Sequence, residues 1–259
     1  MAEIVIVPDA AAAGALVADE ITALVQQRAD AVLGLATGST PLTIWRSLAG
    51  RGLDFSQVRG FALDEYIGLP AGDPRSYRAT IDAEVVDVLG LDPALVHVPG
   101  DGLEGAALAG AGKQYEALIA AAGGIDLQVL GIGRTGHIGF NEPGSSFASR
   151  TRVKTLMRVS REDNARFFDG DVDAVPQHCV TQGLGTILDA RRLVLLAFGE
   201  AKAESIAAAV EGPVTASLPA SAIQLHPDVT VFVDDAAASQ MRFADYYREV
   251  WANRPDWAR

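Results

Sequence analysis

The feature that most constrains this chain is an alternation. Short apolar runs recur between longer stretches with helical spacing. Glu3–Val7, Ala31–Ala36, Val58–Leu63, Ile125–Ile132, Leu193–Phe198 and Val229–Val233 read as strands. After the first, Asp9 suits a helix N-cap; Val17, Ile21 and Leu24 follow at helical spacing, and Leu16 and Val25 widen the stripe. Arg28 ends it, in a last turn that favours a cation. Tyr77–Leu89, Leu103–Ala122, Glu200–Val210 and a C-terminal stretch read as further helices. Such alternation predicts one α/β domain: an open, mostly parallel, Rossmann-like sheet with helices on both faces. The length of 259 residues suits a single domain, and no repeat, low-complexity linker or domain boundary interrupts it. Residues 141–182 are polar and read as a loop-and-helix insertion over the sheet. Long segments of that kind often serve as lids or binding loops.

Charge and cysteine content narrow the function. A net charge of −12 argues against a nucleic-acid binder, which needs a basic face. It leaves room for an anionic small molecule, because a few local cations outweigh a distant acidic surface. Cys179 is the only cysteine, so no intramolecular disulfide forms, as suits a reducing compartment. Met1–Asp9 lacks a basic leader, and the alanine-rich run behind it is broken by Gly14, Asp19 and Glu20. Neither a signal peptide nor a membrane span is expected, and the expected location is the cytoplasm.

Three strand ends run into loops suited to chemistry, and ligands of open α/β sheets bind outside the carboxyl ends of strands. Thr37-Gly-Ser-Thr-Pro41 offers small residues whose amides can approach an anion, two hydroxyls, and a proline at the start of a helix. It lacks the Gly-Lys-Ser/Thr ending of a P-loop, and an ordinary capped turn would look the same. Leu63-Asp-Glu-Tyr66 ends an apolar strand in two carboxylates. At least one is expected to be exposed at the sheet edge, as a general base or merely as a turn cap and a solvated charge. Leu130-Gly-Ile-Gly-Arg-Thr-Gly-His-Ile-Gly-Phe-Asn-Glu-Pro143 brings His137 and Glu142 into one glycine-rich loop, where they could converge as a proton relay. Gly131, Gly133 and Gly136 formally spell a dinucleotide fingerprint, but Asn141-Glu142-Pro143 argues against the helix that must follow it. His97, His137, His178 and His226 show no metal-ligand spacing. Neither a metal nor an organic cofactor is expected.

Together with Gly136-His-Ile-Gly-Phe-Asn-Glu-Pro143, Ser149-Arg-Thr-Arg-Val-Lys-Thr155, Asn164-Ala-Arg-Phe-Phe168, Val210-Glu-Gly212 and Leu225-His-Pro227, the first two loops give a chain that resembles the glucosamine-6-phosphate deaminase family from the first strand to about Asp235. The resemblance implies aldose–ketose isomerisation and deamination of glucosamine 6-phosphate to fructose 6-phosphate and ammonia, in amino-sugar catabolism. It makes Asp64 the base that moves a proton between C2 and C1, His137 the ring-opening acid/base, and Glu142 the carboxylate that assists it. Gly38, Ser39 and Thr40, with Arg166 and Lys202, correspond to the 6-phosphate pocket, and residues of about 150–182 to a mobile lid. Thr135 departs from the family pattern: many members carry Asp or Asn there, and threonine offers a hydrogen bond without a formal charge. Ser145, Arg152, Lys154 and Thr155 resemble the effector site for N-acetylglucosamine 6-phosphate of allosteric members, and a homo-oligomer is the expected assembly.

Two rivals share the fold. A 6-phosphogluconolactonase would lack Phe-Asn-Glu-Pro, and a sugar-phosphate-sensing transcription regulator would need an N-terminal DNA-binding segment, whereas this chain is expected to begin at the first strand.

Overall fold

The computed structural model describes residues 3–255. Among these described residues, ten strands form two sheets. β1 (Glu3–Ile6), β2 (Val32–Leu35), β3 (Arg59–Ala62), β5 (Val96–His97), β6 (Leu127–Gly131), β9 (Arg192–Ala197) and β10 (Val229–Val233) make a seven-stranded sheet in the order β1-β10-β9-β6-β2-β3-β5. All its pairings are parallel. The central strands are apolar because helices cover both faces: all residues of β2 and β10 are buried, as are five of the six in β9.

The helices follow the expected stripes. Asp9 caps Ala10–Gln27 by accepting the Ala12 amide at 2.8 Å, a cap worth about 1 kcal/mol. Ala13, Val17, Ile21 and Val25 are the buried face of that helix. Arg28 stands just past its end and pairs with buried Asp126 at 2.9 Å. Asp126 also accepts the Val32 amide, which ties the helix end to the start of β2. Residues 77–89 are one helical run with a wider π-turn over Asp82–Val86, stopped by Gly90 in the left-handed region. No helix among the described residues is long and apolar enough to cross a membrane.

The middle of the chain differs from its sequence reading. β4 (Asp64–Tyr66), β7 (Arg152–Thr155) and β8 (His178–Thr181) pair antiparallel as a second sheet, β4-β8-β7. The stretch 141–182 is therefore not only loop and helix. It returns as two strands, with the helix Arg158–Asn164 between them, onto a short strand that directly follows β3. A second apolar cluster, of Tyr66, Phe140, Leu156, Phe168, Val175 and Cys179, packs this layer together.

Strand order reverses between β2 and β6: β3 and β5 lie beyond β2, while β9 and β10 lie beyond β6. The crevice at that reversal is where ligands bind in open sheets of this kind.

Candidate active site

Four adjacent strands, β9-β6-β2-β3, lead from their carboxyl ends into Lys202, His137, Thr37 and Asp64, and the helices Tyr77–Ile81 and Arg158–Asn164 close the site. A cavity of about 190 Å³ is lined by Thr37, Asp64, His137, Ser160, Asp163, Arg166 and Lys202, among others. Next to it lies a second cavity of about 410 Å³, lined by Gly38, Ser39, Arg75 and Glu84 among others. The two share Thr37, Tyr77, Asn164 and Arg166.

The two adjacent carboxylates are both buried, 8% and 6% exposed, contrary to the expectation that at least one would lie open at the sheet edge. The reason is β4, which carries them into the second sheet, where they pair with Thr181 and Val180 of β8. Their environments are opposite. Glu65 is consumed by the backbone: its Oε1 accepts the amides of Tyr66 (2.7 Å) and Tyr77 (3.0 Å), and its Oε2 accepts that of Arg78 (2.7 Å). It thus satisfies amides at the start of the helix Tyr77–Ile81, where a negative charge is favoured. Asp64 lines the cavity instead. Burial, and then repulsion from Glu65, push its carboxyl up to about 8. A carboxylate in such a place is a stronger base than one in water.

The loop after β6 folds His137 back over Gly133. The Gly133 amide donates to the His137 carbonyl at 2.9 Å. A β-carbon on residue 133 would stand 2.1–2.5 Å from three atoms of the imidazole. Nδ1 of His137 meets the Thr135 hydroxyl at 2.8 Å and lies 3.6 Å from Oε2 of Glu142. The expected convergence of histidine and carboxylate within one loop is thus present, with Thr135 in closer contact than Glu142. Burial lowers the imidazole pKa, Glu142 raises it and Lys202 lowers it further. The sum is a histidine that stays neutral below its ordinary range. Gly133→Ala should therefore displace the ring and cost about 10²-fold or more in turnover, the usual contribution of a positioned acid/base. Steady-state kinetics beside a melting curve checks it, and normal turnover in the folded variant would mean that the ring position does not matter.

Two cations line the same cavity, and the amides of the loop after β2 stand beside the second. Gly38 has φ +106°, a conformation that favours glycine. Among the described residues, the amides of Gly38, Ser39 and Thr40 donate to no protein group. Lys202 Nζ donates to the Ile132 carbonyl at 2.7 Å, and burial lowers its pKa. The Arg166 guanidinium lies 4.7 Å over the Phe167 ring and lines both cavities. Gly38 and Ser39 line only the second cavity, and Thr40 lines neither, its carbonyl accepting the Thr43 hydroxyl. Arg166 spans the junction. No group of three or more side chains fit to hold a metal ion occurs among the described residues.

Tyr77, Ser160, Asp163 and Asn164 line the cavity as well and were not legible in the sequence as site residues. The spacing 160–163–164, one face of a helix, was the available signal. The candidate effector residues stand apart from both cavities. Buried Ser145 donates to the Glu142 carbonyl at 2.7 Å, and Arg152 reaches Ser145 Oγ (3.3 Å) and Asn141 Oδ1 (2.8 Å). Lys154 lies on the same strand as Arg152, and Thr155 contacts His178 at 3.2 Å.

A family model described as glucosamine-6-phosphate isomerases/6-phosphogluconolactonase matches residues 9–232. The chain belongs to this family. Within the family it is 57% identical to a glucosamine-6-phosphate deaminase of Bifidobacterium longum, over 99% of both chains. It is 56% identical to one of Streptomyces avermitilis, over 98% of both. Among solved structures it is similar to a monomeric glucosamine-6-phosphate deaminase, with TM-score 0.88 and 38% identity over 92% of this chain and 99% of that one. The resemblance read from the seven motifs, and the parallel α/β fold, are those of this family.

Proposed function

We propose that this chain isomerises and deaminates glucosamine 6-phosphate, giving fructose 6-phosphate and ammonia. The observation that carries the reading is one cavity holding an unneutralised carboxyl poised near pH 8, a neutral histidine and two side-chain cations. Deaminases of that name at more than half identity over nearly the whole chain support it.

The chemistry follows from the residues. His137 takes the proton of the anomeric hydroxyl and returns one to the ring oxygen, which opens the ring and leaves an aldehyde at C1. The aldehyde acidifies the C2 proton. Asp64 removes that proton, leaving an enolamine, and delivers it to C1. C2 is then an iminium carbon; water adds to it, and ammonia leaves as the ketone forms. Glu142 and Thr135 hold Nδ1 of His137 through these steps. Lys202, Arg166 and the amides of Gly38 and Ser39 take the 6-phosphate where the two cavities meet, and a dianion there meets charge-assisted donors. Binding energy from this remote group holds C1 and C2 against Asp64.

Residues of about 150–182 act in this reading as the lid, with Arg166 carried on it. An effector at Ser145, Arg152, Lys154 and Thr155 would reach the site through Glu142, which Ser145 and the Met157 amide (3.2 Å) both contact. N-acetylglucosamine 6-phosphate is the effector, and self-association the assembly, that go with this reading, as does the cytoplasm, where sugar phosphates are made and held. The test of the reaction is release of ammonia in step with fructose 6-phosphate; glucosamine 6-phosphate left intact by the pure protein would refute it.

Thr135 gives a sharper test of the relay. A carboxylate in its place would favour the imidazolium. In Thr135→Asp the NMR titration midpoint of His137 should move to higher pH than in the parent protein, where it lies below the ordinary histidine value. An unchanged midpoint would mean that residue 135 does not touch the relay, and a lower one would contradict the electrostatics.

A further inference from the structure

The helix Arg158–Asn164 turns one face to the cavity, with Ser160, Asp163 and Asn164 at the i, i+3, i+4 spacing that shares a helix face. Two of the three are already engaged. Asp163 is held by Arg134, Oδ1 at 2.5 Å from Nη2 and Oδ2 at 3.0 Å from Nε. Asn164 donates to the Tyr66 hydroxyl at 2.9 Å. Ser160 is different. It is 1% exposed and lines the cavity, and its hydroxyl has no hydrogen-bond partner.

A serine inside a helix usually returns its hydroxyl to a carbonyl three or four residues earlier. Here those are Met157 and Leu156, and the bond is not made. An unpaired buried hydroxyl destabilises the fold relative to an alanine of nearly the same shape, and native proteins leave few such groups. Ser160 is thus a poor packing choice and a good ligand-facing one. We propose that the Ser160 hydroxyl hydrogen-bonds a hydroxyl or amino group on the carbon chain of the bound sugar phosphate, and so helps to set which sugar is accepted. The proposal rests on the functional reading above. A neutral hydroxyl suits the sugar rather than its phosphate, which Lys202, Arg166 and the amides of Gly38 and Ser39 are equipped to hold. Sites that place a buried polar group against a substrate group reject analogues lacking it, because the protein group is then left unpaired.

The test uses the full chain with Ser160→Ala and Ser160→Cys, the second keeping volume while weakening the donor. Three quantities are read: deamination of glucosamine 6-phosphate, inhibition by inorganic phosphate, and thermal unfolding. In both variants kcat/KM should fall roughly 10–100-fold, the loss expected when a substrate group loses its buried partner. Inhibition by phosphate should stay within about twofold, because the charged donors are untouched. The alanine variant should melt no lower than the parent, since the unpaired hydroxyl is gone. A kcat/KM in both variants within about threefold of the parent would overturn the proposal, being less than one ordinary hydrogen bond. So would a loss of activity that tracks a lowered melting temperature in both, which marks a packing role. A parent protein that releases no ammonia from glucosamine 6-phosphate would instead overturn the functional reading, and this inference with it.

Discussion

Asp64→Asn lowers turnover by roughly 10²–10⁴-fold, the contribution of a positioned general base, while KM changes far less. Asparagine keeps the size of the side chain and most of its hydrogen bonding, but it cannot take the C2 proton. Phosphate binding depends on Lys202, Arg166 and the amides of Gly38 and Ser39, none of which the change touches. The fold should not suffer either. The folded carboxyl is raised to about 8, against an unfolded value of about 3.9. A carboxyl raised on folding holds its proton more tightly in the native state, so stability falls as pH climbs from the unfolded value towards 8. The variant, free of that charge, should melt at the same temperature as the parent or higher at pH 8. The same shift fixes the acid side of the rate profile. The base is lost as pH falls through its folded pKa, so kcat/KM of the parent should rise with pH up to about 8. Near-normal turnover in a folded Asp64→Asn protein would remove Asp64 from the chemistry.

The second large effect is at the phosphate. Lys202→Ala and Arg166→Ala each remove a charge-assisted contact worth about 1.5–3 kcal/mol, or roughly 10–150-fold in affinity. The losses should appear mainly in KM. Unphosphorylated glucosamine gives up the same contacts from the substrate side, and its kcat/KM should be lower by about 10²–10⁴-fold if the two contributions add. Because that binding energy also orients the reacting carbons, part of the loss should fall on kcat. Glucosamine reacting as well as its phosphate ester would show that Lys202, Arg166 and the 37–41 loop do not form the phosphate pocket.

Much of this was legible in the chain. Most long strands of the parallel sheet announced themselves by a largely apolar run, since burial on both faces leaves few polar positions, buried Gln128 of β6 and Thr230 of β10 being among them. The loops after β2, β3 and β6 were legible because glycine, small hydroxylated residues and carboxylates follow apolar runs abruptly. The second sheet was not. Asp-Glu-Tyr in β4 and Arg-Val-Lys-Thr in β7 have no apolar run, and the pairing of β4 with β8 joins residues as far apart in the chain as Asp64 and Thr181. For the same reason the fates of Asp64 and Glu65 could not be told apart: Glu65 is tied up by amides twelve and thirteen residues away. The polar face of Arg158–Asn164 was hidden by the polarity around it, because a cavity wall and a solvated surface draw on the same residue types.

The most direct test follows from the family itself, whose description spans isomerases and lactonases. The purified protein is given glucosamine 6-phosphate and 6-phosphogluconolactone in parallel, and ammonia, fructose 6-phosphate and lactone hydrolysis are measured. Ammonia and fructose 6-phosphate should appear in equal amounts from the first, with the lactone hydrolysing no faster than in buffer alone. Rapid lactone hydrolysis with no ammonia from the amino sugar would contradict the account.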